Sequence, residues 1–163
     1  MVKILFVCTG NICRSPTAEG VLRTRAAARG LEAQVEAASA GTHGYHLGEP
    51  PDPRAVAAAL KRGVDLRSQR ARRIRREDFG RYDFLIAMDR THRDALRKLA
   101  PAGGETKLGL FMDYAPEFGL KDVPDPYYGD AQDFERVLDM IESGSGRLLD
   151  EIERRLAQPG SSG

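Results

Sequence analysis

The segment Cys8-Thr9-Gly10-Asn11-Ile12-Cys13-Arg14-Ser15 lies between a continuous apolar run and a helix start, and that junction restricts the fold more than any other feature. Val2 to Val7, with Ile4, Leu5 and Phe6, shows no alternation, as a strand buried on both faces requires. Ser15 and Pro16 then read as a helix cap and the first helical residue. A strand buried on both faces needs helices above and below it. Strands alternating with helices meet that requirement as an α/β parallel sheet with helices on both faces.

The rest of the chain repeats the alternation. The first helix should run to about Arg29 and stop at Gly30, and Val35 to Ala40 reads as a second, weaker strand. Asp52-Pro53 repeats the cap-plus-proline start, for a helix through about Arg62 that ends at Gly63. Phe84 to Met88 is the third strand, residues 90–99 a helix ending before Pro101, and Lys107 to Phe111 the fourth strand. Residues 112–131 form a connection of a length that is usually functional. Phe134, Val137, Leu138, Ile141, Leu148, Leu149, Ile152 and Leu156 then recur at helical intervals. The expected architecture is one domain over residues 1–157, a four-stranded parallel sheet with helices on both faces, followed by a flexible tail at 158–163. Ligands in such folds bind at the carboxyl ends of the strands, near the point where strand order reverses. Cys8 sits at such an end.

Composition narrows the function classes. At 163 residues the chain can bury roughly two-thirds of its unfolded surface, so it needs no disulfide or metal to fold. No apolar run approaches the roughly 18 residues of a spanning helix, and the run after Met1-Val2-Lys3 is too short for a signal peptide core. Lys plus Arg number 25 against 24 for Asp plus Glu, which gives no global case for nucleic acid. Two cysteines are too few for a secreted disulfide framework. The expectation is a cytoplasmic enzyme with neither a membrane nor a nucleic-acid partner.

A loop curling from a strand end into a helix start turns successive N–H groups inward and makes an anion nest, and the helix dipole adds to it. Gly10 and Asn11 tolerate left-handed backbone. Arg14 can present a planar fork to two phosphoryl oxygens, and Cys8 lies where these positive fields converge, which favours the thiolate nucleophile. Ser15 can donate to that sulfur. The pattern lacks the Lys and second Gly of a nucleotide-binding Walker loop. His43, His46 and His92 are scattered, so no zinc set forms; His43 and His46 read as polar loop residues. An acid for the leaving oxygen is available in Val123-Pro124-Asp125-Pro126-Tyr127-Tyr128, which follows the fourth strand on the same sheet edge. On the residues alone, Cys8 as a small packed side chain and Asp125 as an ordinary Asp-Pro turn stay open.

Taken together, VCTGNICRSPTAEG at 7–20, SAGT at 39–42, PDPRAV at 51–56, DFLIAMD at 83–89 and DPYYGD at 125–130 resemble the low-molecular-weight protein tyrosine phosphatases over roughly Lys3 to Leu156. The resemblance implies hydrolysis of phosphotyrosine and aryl phosphate monoesters through a phosphocysteine intermediate, without metal or cofactor. Phosphotyrosine-containing proteins would be the substrates and inorganic phosphate a product. It makes Cys8 the nucleophile, Arg14 the phosphate ligand and Asp125 the general acid. Thr9, Gly10, Asn11, Ile12, Cys13, Arg14 and Ser15 would form the phosphate loop, with Tyr45, Tyr127 and Tyr128 as substrate walls. Arsenate reductases of the same fold use two further distal cysteines, and none follows Cys13 here. Protein-arginine phosphatases carry Thr where this chain has Ile12. A binding module that had lost activity would be expected to lack Cys8, Arg14 or Asp125. Cys13 is also expected to capture oxidised Cys8 as a disulfide.

Two readings lie outside this set. The chain's sole Asn, Asn11, falls where the loop needs an unusual backbone angle and an internal hydrogen bond. The cluster Arg67, Arg70, Arg72, Arg73, Arg75, Arg76 reads as a solvated face, with attraction of anionic phosphopeptides as its functional alternative.

Overall fold

A computed structural model describes residues 1–158; of the expected tail, residues 159–163 lie outside the described residues. Four strands, β1 (Val2–Cys8), β2 (Val35–Gly41), β3 (Phe84–Ala87) and β4 (Leu108–Leu110), form one parallel sheet in the order β2-β1-β3-β4. The helices are α1 (Arg14–Ala28), α2 (Pro53–Leu60), α3 (Asp78–Arg81), α4 (Arg90–Leu99) and α5 (Ala131–Ala157). None is long and apolar enough to cross a membrane among the described residues.

β1 explains its own sequence. Ile4, Phe6 and Cys8 face one apolar cluster, shared with α1, α2 and α5. Leu5 and Val7 face a second, shared with α3 and α4. Both faces are dry, so both residue sets are apolar. β2 and β3 flank β1 on opposite sides, so strand order reverses between β1 and β3, and their carboxyl ends open onto one crevice.

Three local expectations need correction. Ser15 does not cap α1: the helix begins at Arg14 with Cys13 at the cap position, and the Ser15 hydroxyl turns inward to other work. Gly10 does not adopt the left-handed region, although Asn11 does, with φ 59°. The connection 112–131 is not structureless, because it holds 3-10 turns at Phe111–Tyr114 and Pro116–Phe118. The Asp52 cap with Pro53 in first helical position is as expected, the Asp52 carboxylate accepting from Arg54 N at 2.8 Å. α3 was not expected, since four residues are too few to show a period.

Gly144 lets α5 lie against Phe111, whose ring is fully buried edge-on to Phe6 at 6.0 Å. A Cβ at Gly144 would stand 2.5 Å from the Phe111 ring. Alanine normally favours a helix over glycine, but here the overlap outweighs propensity. Gly144→Ala should lower stability by about 1–3 kcal/mol. A thermal melt decides it, since a raised midpoint would mean that the ring yields.

Candidate active site

The loop after β1 is fixed by its single Asn. Asn11 Nδ2 donates to Ser15 Oγ (2.8 Å) and Ser39 Oγ (2.9 Å), while its Oδ1 accepts from Arg72 N (3.0 Å). Left-handed backbone suits Asn better than other residues with a Cβ, and only an amide both donates and accepts here. The Ser39 hydroxyl in turn donates to the buried Glu19 carboxylate at 2.9 Å, and burial pushes that carboxyl up while Arg23 holds it down. A chain of side chains therefore runs from α1 through β2 to the loop. Gly10 serves by close approach, since an added Cβ would meet the His46 ring at 3.0 Å.

Within that frame Cys8 Sγ lies 2.9 Å from Ser15 Oγ, both buried. With Asn11 donating to its oxygen, the Ser15 hydroxyl can give its hydrogen to sulfur, the Ala40 carbonyl at 3.4 Å being its longer alternative acceptor. Cys13, behind the loop, is buried, and burial pushes its thiol up.

Arg14 is held from the far side of the crevice. Its Nη1 donates to Asp89 Oδ2 and to Val123 O, each at 2.9 Å. Its Nε and Nη2 have no protein hydrogen bond among the described residues; Nη2 lies 3.6 Å from Asp125 Oδ2. The free edge has the fork geometry that matches two phosphoryl oxygens. Asp125 is half exposed, and its Oδ1 accepts from Tyr127 N at 3.1 Å. It thus makes the expected turn and also reaches Arg14.

Asp89 and His92 were not singled out as site residues in the sequence. They form a capping box at the start of α4: Asp89 Oδ1 accepts from His92 N (3.0 Å), and His92 Nδ1 accepts from Asp89 N (3.2 Å). That leaves the ring proton on Nε2, which donates to Thr9 Oγ1 at 2.8 Å. One helix start therefore grips the loop at Thr9 and, through Asp89, at Arg14. Burial and the nearby Arg14 charge hold His92 down to about 4, against the opposing pull of Asp89, Asp125 and Asp122. With His92 uncharged at pH 7 and its proton on Nε2, the 3.1 Å approach of Nδ1 to Asp89 Oδ1 is a proximity and not an ion pair; the two residues are joined by the capping-box bonds.

The sign of that shift gives a stability test. An unfolded chain protonates His92 near its ordinary value of about 6.5, and the folded one only near 4. The stabilisation is therefore complete above about 6.5 and lost as pH falls toward 4, on the order of 3 kcal/mol. His92→Gln should flatten this part of the stability profile between pH 7 and 4.5 in urea denaturation. An unchanged slope would assign the acid sensitivity elsewhere.

Cys8, Arg14, Asp125 and the loop from Thr9 line an open cleft of about 310 Å³, with Tyr45, Tyr127, Tyr128 and His46 as its rim. Tyr45 stacks on His43 at 5.0 Å, and Tyr127 stands edge-on to Tyr128 at 4.9 Å. Arg54 fixes the Tyr127 side by donating to Tyr127 O at 2.8 Å. Every residue of the expected catalytic, phosphate-loop and wall sets touches this cleft except Asn11 and Ser15, which shape it from beneath. His46 belongs on the rim and not merely in a polar loop. No group of three or more His, Cys, Asp or Glu side chains that could hold a metal forms among the described residues.

Comparison with known proteins adds an independent observation. The sequence profile described as Low molecular weight phosphotyrosine protein phosphatase matches residues 3–158. A low molecular weight protein-tyrosine-phosphatase of Streptomyces coelicolor is 45% identical over 162 residues, covering 95% of this chain and 98% of that protein. The Bacillus subtilis low molecular weight protein-tyrosine-phosphatase YfkJ is 38% identical over 94% of this chain and 97% of its own length. Its crystal structure superposes with a TM-score of 0.90, covering 97% of this chain and 98% of that one. A crystal structure of a protein tyrosine phosphatase from Entamoeba histolytica, with Hepes in the active site, gives 0.91 at 34% identity over 94% of this chain and 98% of that one.

Proposed function

Because the chain belongs to the low molecular weight phosphotyrosine protein phosphatase family, we propose that it hydrolyses phosphotyrosine monoesters on proteins through a phosphocysteine intermediate, with Cys8 as nucleophile, Arg14 as phosphate ligand and Asp125 as general acid. The observation that carries the assignment is the convergence of Cys8 Sγ, the free edge of Arg14 and the Asp125 carboxylate on one cleft. A phosphoryl group seated on the loop N–H groups and the Arg14 fork takes over the contact between Arg14 and Asp125. Asp125 is thereby released toward the ester oxygen. Cys8 Sγ attacks phosphorus, the P–O bond to the ring breaks, and the phenolic oxygen leaves with the Asp125 proton. Water then attacks the phosphocysteine and gives a proton back to Asp125. The S–P bond breaks and inorganic phosphate departs. Ser15 stabilises the leaving thiolate, and the loop and Arg14 balance phosphoryl charge throughout. Tyr45, Tyr127 and Tyr128 give the flat ring apolar walls.

Ile12 and the absence of any cysteine after Cys13 support this reading over protein-arginine phosphatase and arsenate reductase. A cytoplasmic setting is part of it, since reducing conditions keep Cys8 competent. So is the assignment of residues 1–157 as one phosphatase domain. Turnover of a small aryl phosphate, with and without chelator, tests the whole. Activity abolished by chelator, or arsenate reduced in place of ester hydrolysis, would overturn it.

Cys13 carries a redox prediction. Peroxide converts the Cys8 thiolate to a sulfenic acid, and Cys13 displaces water from it to form the disulfide. Because burial holds Cys13 as the thiol, capture should be slow near neutrality and quicken with pH. Cys13→Ser should remain active but recover poorly with dithiol after peroxide. Mass spectrometry showing free Cys13 beside over-oxidised Cys8 in the wild type would leave Cys13 as packing alone.

A further inference from the structure

Six arginines fall within residues 67–76, and the structure divides them. Arg67 pairs with Asp65 and Arg72 with Asp78, each at 3.0 Å. Arg70 donates to the backbone carbonyls of Arg67 and Gln69, at 2.9 and 2.7 Å. Arg73, Arg75 and Arg76 are exposed, and no carboxylate pairs with them or with Arg70 among the described residues. A merely solvated face usually neutralises itself through neighbouring acids, and here only Arg67 and Arg72 of the six are paired in that way among the described residues.

The position of these charges matters more than their number. Gly41 N donates to Arg72 O and Ile74 N to Gly41 O, both at 2.8 Å, and Arg73 bridges Gly41 in parallel sense. The segment therefore meets the carboxyl end of β2 on its open side, in parallel sense. Gly41 thereby links the two places, since Arg73 bridges it and His43 follows it by two residues. His43 N donates to Thr9 O of the catalytic loop, and its ring stacks on Tyr45 at the cleft mouth. Ile74 is buried and turns inward, while its neighbours Arg73 and Arg75 are exposed. Glu49 accepts from His46 at 2.9 Å and makes no ion pair with any of these arginines among the described residues. Arginines with no carboxylate partner among the described residues thus begin beside the end of the strand that leads on to the Tyr45 wall of the cleft.

We propose that Arg73, Arg75 and Arg76 dock acidic side chains flanking the phosphotyrosine of a substrate, so that this strip selects phosphoproteins with an acidic segment on one side of the modified tyrosine. The proposal rests on the phosphatase reading above and names its substrate class. An extended peptide rises about 3.3 Å per residue and sends alternate side chains to one face, so a short run of acidic residues can meet several of these arginines. Nucleic acid fits less well: the net charge is +1, and no aromatic residue interleaves residues 67–76.

The test uses the full chain and three substrates. Two are phosphotyrosyl peptides with three Glu placed before or after the phosphotyrosine, and the third is an uncharged peptide. At low salt one acidic peptide should exceed the uncharged one roughly tenfold in kcat/KM, mainly through KM. In Arg73→Gln/Arg75→Gln/Arg76→Gln that preference should vanish, while turnover of a small aryl phosphate stays unchanged and so reports an intact fold. High salt should erase the preference in the wild type, since the screening length falls to about 3 Å at 1 M. Equal gains from Glu on either side would mean long-range steering and overturn the docking, as would a preference that survives in the triple variant. Tighter binding of a single-stranded oligonucleotide than of the acidic peptide would overturn it in favour of nucleic-acid contact. Failure of the wild type to hydrolyse aryl phosphate would instead remove the phosphatase reading, and this inference with it.

Discussion

Cys8→Ser should lose turnover by a factor on the order of 10⁴–10⁶ and keep its affinity for inorganic phosphate. The two halves of that expectation rest on different atoms. Turnover needs a sulfur nucleophile, and a serine hydroxyl at the same place has no adjacent base: its neighbour at 2.9 Å is the Ser15 hydroxyl. Phosphate binding needs the loop N–H groups, the Arg14 fork and the start of α1, none of which the substitution touches. Asn11 holds that loop through Ser15 and Ser39 and does not bond Cys8, so its shape should survive. Calorimetric titration of phosphate beside aryl phosphate kinetics separates the two. Residual activity above about 1% of wild type would rule out a phosphocysteine step. Lost phosphate affinity with lost turnover would mean that Cys8 is structural.

What the sequence disclosed and what it withheld divide along a physical line. Local patterns carry local geometry. The unalternated run of β1, the Asp52-Pro53 start of α2 and the recurring apolar positions of α5 each appear in the structure where their spacing puts them. Ser15 misled because a Ser before a Pro has the composition of a cap. Its hydroxyl instead serves Cys8 and Asn11, a tertiary demand that overrides a local preference. The partners that aim the site were hidden for the same reason. Asp89 lies 75 residues from Arg14, and His92 lies 83 from Thr9. Only the parallel pairing of β1 and β3 brings them together, where Met88 N reaches Val7 O at 3.0 Å. A signal did exist: an Asp followed three residues later by a polar side chain, immediately after a buried strand, is a capping box facing the carboxyl edge of the sheet. The buried Glu19 had no such marker, since one helical Glu reads like any other until Ser39 is seen to reach it.

Asp125→Ala should divide substrates by their leaving groups. With phosphotyrosine or another ester of a weakly acidic phenol, the departing oxygen needs a proton, and kcat should fall about 10²–10⁴-fold. With an activated aryl ester, whose phenolate leaves unaided, the loss should be much smaller. The geometry motivates both parts. Asp125 is half exposed at the mouth of the cleft, 3.6 Å from Arg14 and on the opposite side of the crevice from the anchored loop, where an ester oxygen would emerge. Its competing role, the turn it closes by accepting from Tyr127 N, would also be lost in the variant. Asp125→Asn separates them, because an amide oxygen can still accept from Tyr127 N but an amide cannot serve as the acid. If Asn behaves like Ala on poor leaving groups, Asp125 supplies the proton. If Asn restores activity on every ester, Asp125 acts only by holding Tyr127 in place, and the acid must be sought elsewhere on the cleft.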